Sequence, residues 1–199
     1  MRPLPLWVSG ILAIALLISF AQPSDAHIVY TAANQVIRGN DQSLSIDFNH
    51  DGVADVIIQQ TLATRGCFQA SVGANPGTGD AISSAYQGGG GWWADALAAG
   101  TMIGPNSPFE MQAAVMAAVR AGGPGCGEGY RFGYWENNGL HYLGVAFVEG
   151  GSVHYGWAQL GVQIYAYNGQ RIVWTTLTGY AYETITGKSI VAGHTGVVP

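Results

Sequence analysis

The alternation of apolar and polar residues is clearest in the C-terminal third of the chain. In residues 157–167 every second position is apolar, and the positions between them are mostly polar or aromatic. This period of two is typical of a β-strand with one buried face. Residues 171–183 form the second strand after Asn168-Gly169, a dipeptide that favours tight hairpin turns. The sequence therefore predicts a long antiparallel hairpin.

Shorter β-prone runs occupy the rest of the chain. They are Ile28-Val29-Tyr30, Gln35-Val36-Ile37, Leu44-Ser45-Ile46 and Val56-Ile57-Ile58, and residues 130–135 and 141–148 predict a second hairpin across Asn137-Asn138-Gly139. Residues 73–91 are rich in Gly, Asn, Ser and Ala and predict a long surface loop. The expected fold is mainly β, an antiparallel two-sheet β-sandwich of the jelly-roll type.

One segment shows a helical pattern. Ser107-Pro108-Phe109-Glu110 offers a capping Ser, Pro at the first helical position and Glu at the capping-box position. Apolar residues then recur at helical spacing from Met111 to Val119, and Gly122-Gly123-Pro124 would end the helix. We therefore predict one short α-helix packed on the sandwich.

Residues 1–26 have the composition of an export signal. Arg2 precedes an apolar run over residues 8–21, and Ser24-Asp25-Ala26 has the small residues of a cleavage site. Cleavage there leaves residues 27–199 as a single domain, and cleavage after Ala21 is the other option. The apolar run is short for a membrane span, so we expect no membrane insertion and a secreted or periplasmic protein.

Charge and cysteine content narrow the function further. The net charge is −5 and no Lys/Arg cluster is present, which excludes nucleic-acid binding and attraction to an anionic membrane. Cys67 and Cys126 are the two cysteines, and in an oxidising compartment they predict one disulfide. Such a long closed loop would stabilise the protein by roughly 4 kcal/mol.

Residues 47–55 have the spacing of a calcium-binding loop. Oxygen donors occupy the first, third, fifth, seventh and ninth positions, and Gly52 at the sixth allows a sharp reversal. The predicted ligands are Asp47, Asn49, Asp51, the Val53 carbonyl and Asp55. Because the loop joins two predicted strands, we predict a structural Ca²⁺ site and exclude a helix-loop-helix sensor. The alternative is an Asx-rich turn that holds no metal.

Exposed aromatic residues are the second candidate feature. Trp and Tyr side chains on one strand face can stack against sugar rings while amides supply hydrogen bonds. The candidate ligand-binding residues are Trp157, Gln159, Tyr165 and Trp174. The plainer interpretation is that these aromatic residues fill the core and pair across strands.

Two enzymatic hypotheses are weaker. Glycoside hydrolysis needs two positioned carboxylates, and the available glutamates, Glu110, Glu128, Glu136, Glu149 and Glu183, lie in no catalytic motif. We expect Glu149 and Glu183 to be solvated hairpin charges. Cleavage before His27 would leave an N-terminal histidine, which chelates copper when a second histidine is near. The candidates for that second ligand are His50, His141, His154 and His194.

Several motifs resemble those of a known group of exported proteins. They are Ile28-Val29-Tyr30-Thr31, the Asp-x-Asn-x-Asp-Gly loop from Asp47, Tyr142-Leu143-Gly144-Val145-Ala146-Phe147, His154-Tyr155-Gly156-Trp157-Ala158 and Gly179-Tyr180-Ala181-Tyr182-Glu183. The chain resembles uncharacterised secreted bacterial proteins that often carry a PEP-CTERM sorting tail, a tail that this sequence lacks. The resemblance implies export and carries no established activity.

These observations favour a secreted, non-catalytic binding or surface-associated protein with Ca²⁺ as its cofactor. The expected partner is an extracellular glycan or the cell-surface matrix. The alternative is a carbohydrate-active enzyme on the same β-sandwich scaffold.

Overall fold

The structure, a computed structural model, describes residues 27–39, 41–62, 68–88, 91–120, 125, 129–136, 139–167 and 170–196. Fourteen β-strands and no α-helix are found in this part of the chain. The strands are β1 (Ile28–Arg38), β2 (Ser43–Ile46), β3 (Val56–Thr61), β4 (Phe68–Pro76), β5 (Ala81–Tyr86), β6 (Trp92–Ala94), β7 (Met102–Ile103), β8 (Phe109–Glu110), β9 (Ala114–Arg120), β10 (Tyr130–Phe132), β11 (Leu140–Glu149), β12 (Ser152–Tyr167), β13 (Gln170–Glu183) and β14 (Ile190–Val191).

Twelve of these strands form one nearly closed, barrel-like sheet. The order is β1-β13-β12-β11-β5-β6-β9-β4-β3-β2, with β10 beside β9 and β8 beside β5, and β7 and β14 form a separate small sheet. The mainly β prediction is confirmed. The predicted two-sheet sandwich is not confirmed, because the β11–β5 pairing joins the two halves of the structure into one sheet. Strand alternation marks one buried face in a sandwich and in a curled sheet alike, so it does not distinguish them.

The two ends of the large sheet, β1 and β2, follow each other in the chain. The Gln42 side-chain oxygen accepts a hydrogen bond from the Arg38 backbone N–H at 2.7 Å. The buried Gln60 side chain on β3 donates to Thr175 Oγ1 on β13 at 2.8 Å and to the Ile37 carbonyl on β1 at 3.3 Å. Gln60 therefore links the two ends of the sheet.

The predicted long hairpin is present as β12 and β13, which pair antiparallel over most of their length. The predicted β10–β11 hairpin is wrong. Strand β10 pairs with β9, and β11 pairs with β12 in register from Leu140 to Glu149. The turn between β11 and β12 is Gly150-Gly151. Both glycines have positive φ, 57° and 82°, as required by the hairpin turns that match strand twist.

The predicted helix after Ser107 is wrong, because residues 109–110 and 114–120 form β8 and β9. In the sheet, strand β9 has β4 on one side and β6 and β10 on the other. Both of its faces are buried, so its apolar residues do not alternate with polar ones and their spacing resembles that of a helix. Ser107 Oγ instead accepts the Gly104 N–H at 3.1 Å within a turn. The predicted long loop over 73–91 is also wrong, since β4, β5 and a tight turn occupy its first part.

Two apolar clusters stabilise the fold. The larger fills the interior of the sheet and contains Phe48, which stacks on Phe147 with ring centroids 5.4 Å apart. The smaller lies on the opposite face of β12 and β13, around Trp157, and is covered by β7 and β14. Phe48 lies within the 47–55 segment, so this loop is anchored directly in the main core.

Candidate functional site

The acidic loop connects β2 to β3, as the sequence predicts. Ile46 and Val56 pair at its base, and the Asp55 N–H donates to the Ile46 carbonyl at 2.9 Å. His50 and Gly52 have positive φ values of 61° and 90°. Gly52 tolerates this conformation without a Cβ clash, which explains why glycine suits the sixth position.

The side chains of the loop hold its backbone in shape. Asp47 accepts the Asp51 N–H at 3.2 Å and the Gly52 N–H at 2.8 Å through its two carboxylate oxygens. Asn49 Oδ1 accepts the Asp51 N–H at 3.1 Å, and Asp51 Oδ1 accepts the Val53 N–H at 2.8 Å. The side chains at positions one, three and five are therefore fixed within one tight turn of the chain.

Asp55, at the ninth position, is a buried carboxylate with 5% exposure. Its Oδ2 accepts the Phe48 N–H at 2.6 Å. Burial, the largest cause, and the nearby charges of Asp80, Asp47 and Asp51 together raise the pKa of Asp55 to about 6, against the lowering effect of that hydrogen bond. Asp55 is therefore a buried carboxyl group beside Asp47, which is partly buried, and Asp51, which is exposed.

Asp80 is the residue of this cluster that sequence analysis missed. It lies in the turn between β4 and β5, is 6% exposed, and accepts the Val148 N–H at 3.0 Å. Burial and the Asp51 charge raise its pKa. A Cβ added at Gly77 would lie 2.5 Å from Asp80 Oδ2 and 2.7 Å from the Ala54 carbonyl oxygen. The absence of a side chain at Gly77 lets Asp80 approach the loop, which sequence spacing does not reveal.

The oxygen donors of the loop are of the chemical type that calcium prefers in proteins. Carboxylate, amide and backbone oxygens are hard ligands, and in the described part of the chain none of Asp47, Asp51, Asp55 and Asp80 forms an ion pair with Lys or Arg. No group of three or more His, Cys, Asp or Glu side chains in the described ranges has a metal-binding arrangement.

The four predicted glycan-binding residues are divided between two environments. Trp157 is 2% exposed, and its indole N–H donates to the His194 carbonyl at 3.2 Å. The Gln159 amide donates to Tyr142 OH at 2.8 Å and accepts the Thr178 hydroxyl at 2.5 Å. Both side chains are engaged within the protein.

Tyr165 and Trp174 lie together toward the far end of the same sheet face. Their rings meet edge to face at 5.1 Å, and the Arg38 guanidinium lies 4.4 Å from the Trp174 ring centroid. Tyr165 is 41% exposed, and its hydroxyl donates to Gln163 Oε1. This pair, here called the Tyr165–Trp174 surface, is the accessible part of the predicted site.

A second group of aromatic residues lies on β6, β10 and the segment after β10. Trp93 contacts Phe132 at 5.8 Å and Tyr134 at 5.5 Å, and Tyr130 contacts Phe132 at 5.6 Å. Tyr130 and Tyr134 are 50% and 38% exposed. These four residues form an aromatic strip that sequence analysis did not select, since they are distant in the chain.

A cavity of about 430 Å³ opens where β13, β14 and the start of β1 meet. Its lining includes His27, Glu183, Lys188, Ser189 and His194. Glu183 is 2% exposed, its carboxylate lies 3.3 Å from the Lys188 amine, and it accepts the Ile185 N–H. The expectation that Glu183 is a solvated charge is therefore wrong.

Cys67 and Cys126, the predicted disulfide, lie outside the described residues. A membrane-spanning helix is not found in the described part of the chain.

In comparisons with known proteins, no family model matches this chain, and no curated protein or solved structure is detectably similar to it.

Proposed function

We propose that this is a secreted, non-catalytic binding protein, stabilised by Ca²⁺ in the 47–55 loop, whose ligand is an extracellular glycan. The acidic loop carries the proposal. Its side chains are already fixed by hydrogen bonds, and its negative charge has no basic partner among the described residues. The export signal and the resemblance to secreted proteins support the location.

The calcium ion has a structural role in this proposal. Its donors are Asp47, Asn49, Asp51, the Val53 carbonyl and Asp55. The loop bridges two strands near the end of the large sheet and is anchored through the buried Phe48. An ion there offsets the repulsion among the carboxylates and fixes the β2–β3 connection.

The Tyr165–Trp174 surface supports the glycan part of the proposal. An exposed tyrosine edge, an indole and a guanidinium stacked on it combine an apolar platform with hydrogen-bond donors. Sugar rings present both apolar C–H faces and hydroxyl groups, and this surface is complementary to both.

The alternative, a carbohydrate-active enzyme, has less support. A hydrolase of the usual kind needs two carboxylates facing one substrate. The described cavity presents Glu183 alone, and Lys188 and the Ile185 N–H already bind that carboxylate. We therefore place binding without turnover first.

Thermal unfolding in Ca²⁺ and in chelator tests the calcium site. At a Ca²⁺ concentration 100 times Kd we expect about 2.7 kcal/mol of stabilisation, and about 5 to 11 °C in melting temperature. The Asp51→Asn variant should lose this gain, and Asp41→Asn, an exposed carboxylate outside the loop, should keep it. Equal melting temperatures of the wild type in Ca²⁺ and in chelator would refute the site.

A glycan array with the purified protein tests the ligand. Trp174→Ala should abolish binding, and Tyr130→Ala, which alters the aromatic strip instead, should leave it intact. Release of reducing sugars from a bound glycan would favour the enzyme. Absence of binding by the wild type, or undiminished binding by Trp174→Ala, would contradict the Tyr165–Trp174 surface.

A further inference from the structure

We infer that the glycan bound at the Tyr165–Trp174 surface is negatively charged, and that Arg38 selects it by pairing with an acidic group on a sugar ring. The inference rests on the proposed function and names the class of glycan. The acidic group is a carboxylate or a sulfate, since both offer several oxygens to the forked N–H donors of a guanidinium.

Strand pairing places Arg38 in a row with an indole and an amide. Trp174 on β13 pairs with Arg38 on β1 and with Gln163 on β12. Residues paired in this way lie side by side on one face of the sheet. Neighbouring strands are about 4.8 Å apart, so the backbones of Arg38 and Gln163 are separated by roughly 10 Å. A ligand that contacts both residues therefore lies across the strands.

The Arg38 side chain is positioned before any ligand binds. Its guanidinium lies 4.4 Å from the Trp174 ring centroid, within the range of a cation–π contact. The backbone N–H of Arg38 donates to Gln42 Oε1 at 2.7 Å, which fixes the end of β1. The side chain is exposed. Contact with the indole limits the motion of the guanidinium, so less conformational entropy is lost when an anion binds.

The charge of Arg38 has no acidic partner. The other basic side chains that the structure describes are engaged: Arg131 and Lys188 each pair with a glutamate, and Arg120 lies over a tyrosine ring and donates to its hydroxyl. In the described part of the chain, no Asp or Glu forms an ion pair with Arg38. An anionic ligand can therefore pair with Arg38 without displacing a carboxylate of the protein.

The rest of the row binds the neutral parts of a sugar. The Tyr165 hydroxyl donates to Gln163 Oε1, and Gln163 is exposed, so its amide nitrogen can donate to a ligand hydroxyl. Charge-assisted hydrogen bonds are about twice as strong as neutral ones, so Arg38 favours an acidic sugar over a neutral one. The net charge of the protein is −5, which repels polyanions in general. A preference for acidic glycans would therefore come from local pairing.

Binding of matched glycans tests this inference. A glycan array presents uronate-containing, sulfated and neutral glycans to the purified protein at a fixed Ca²⁺ concentration. Calorimetry then compares the best ligand with its methyl-esterified or desulfated form, which shows whether a carboxylate or a sulfate is recognised. The acidic form should bind about tenfold more tightly. Raising the ionic strength from about 0.05 M to about 0.5 M should weaken its binding, because exposed charges are screened.

The Arg38→Gln variant should lose this preference: its affinity for the acidic form should fall about tenfold, and its affinity for the neutral form should not change. The matched control is Arg120→Gln, which removes one positive charge elsewhere and should keep the preference. A neutral best ligand, a preference that persists in Arg38→Gln, or an equal loss in Arg120→Gln would overturn the inference and leave the glycan function standing. Binding of no glycan by the wild type would refute both.

Discussion

Protonation of Asp55 should make the calcium-free protein more stable in mild acid. Burial and neighbouring carboxylates raise the pKa of Asp55 from 3.8 to about 6 in the folded protein. The folded state therefore binds the proton more tightly than the unfolded chain. Stability is highest below pH 4, decreases as the pH rises to about 6, and stays at the lower level above that.

The size of the effect follows from the shift. A difference of about two pH units corresponds to at most about 3 kcal/mol, and solvent reaching the loop reduces this to about 1 to 2 kcal/mol. For a protein of this size, the melting temperature should decrease by roughly 2 to 8 °C between pH 4 and pH 7. Bound Ca²⁺ should reverse the trend, because acid protonates its ligands and releases it.

The assay is differential scanning calorimetry from pH 4 to pH 8, in calcium-free buffer and in excess Ca²⁺. Asp55→Asn keeps an oxygen that accepts the Phe48 N–H, so this variant should fold and lose most of the calcium-free pH dependence. Asp41→Asn, whose parent side chain is exposed, should behave as the wild type. A wild-type melting temperature that rises with pH without calcium, or an unchanged pH slope in Asp55→Asn, would refute the reasoning.

Two further predictions concern packing. Gly77→Ala should destabilise the protein by about 1 to 3 kcal/mol, because its Cβ would clash with Asp80. Gly73→Ala, whose Cβ would have its nearest contact at 3.5 Å, should cost far less. Urea denaturation measures both free energies of unfolding, and equal costs would contradict the clash. Trp135→Phe should lower the free energy of unfolding by about 2 to 4 kcal/mol, since it removes the buried hydrogen bond to the Ala94 carbonyl. An unchanged midpoint in urea denaturation would show that this bond contributes nothing to stability.

Local patterns in the sequence predicted the strands that have one buried face. The alternation in β12 and β13 and the Asp-rich spacing after Ile46 each depend on neighbouring residues alone, and the structure contains that hairpin and the loop between two strands. The prediction failed for β9, where burial on both faces removes the alternation and leaves a spacing shared with helices.

Contacts between distant residues could not be predicted in this way. Asp80 approaches the acidic loop through the space left by Gly77, and Glu183 is buried and pairs with Lys188. The choice between a sandwich and a single curled sheet depended on the Val145–Ile82 pairing between β11 and β5. Each of these features is set by three-dimensional packing and leaves no periodic signal in the sequence.

The pairing of β1 with β13 has a consequence for the order of folding. Ile28 aligns with Glu183, so the first strand to be synthesised has its partner near the other end of the chain. Contacts of such large sequence separation form slowly, because the chain entropy lost in closing so long a loop must be overcome first. The β1–β13 pairing therefore requires the chain as far as residue 183, and we expect it to form late in folding.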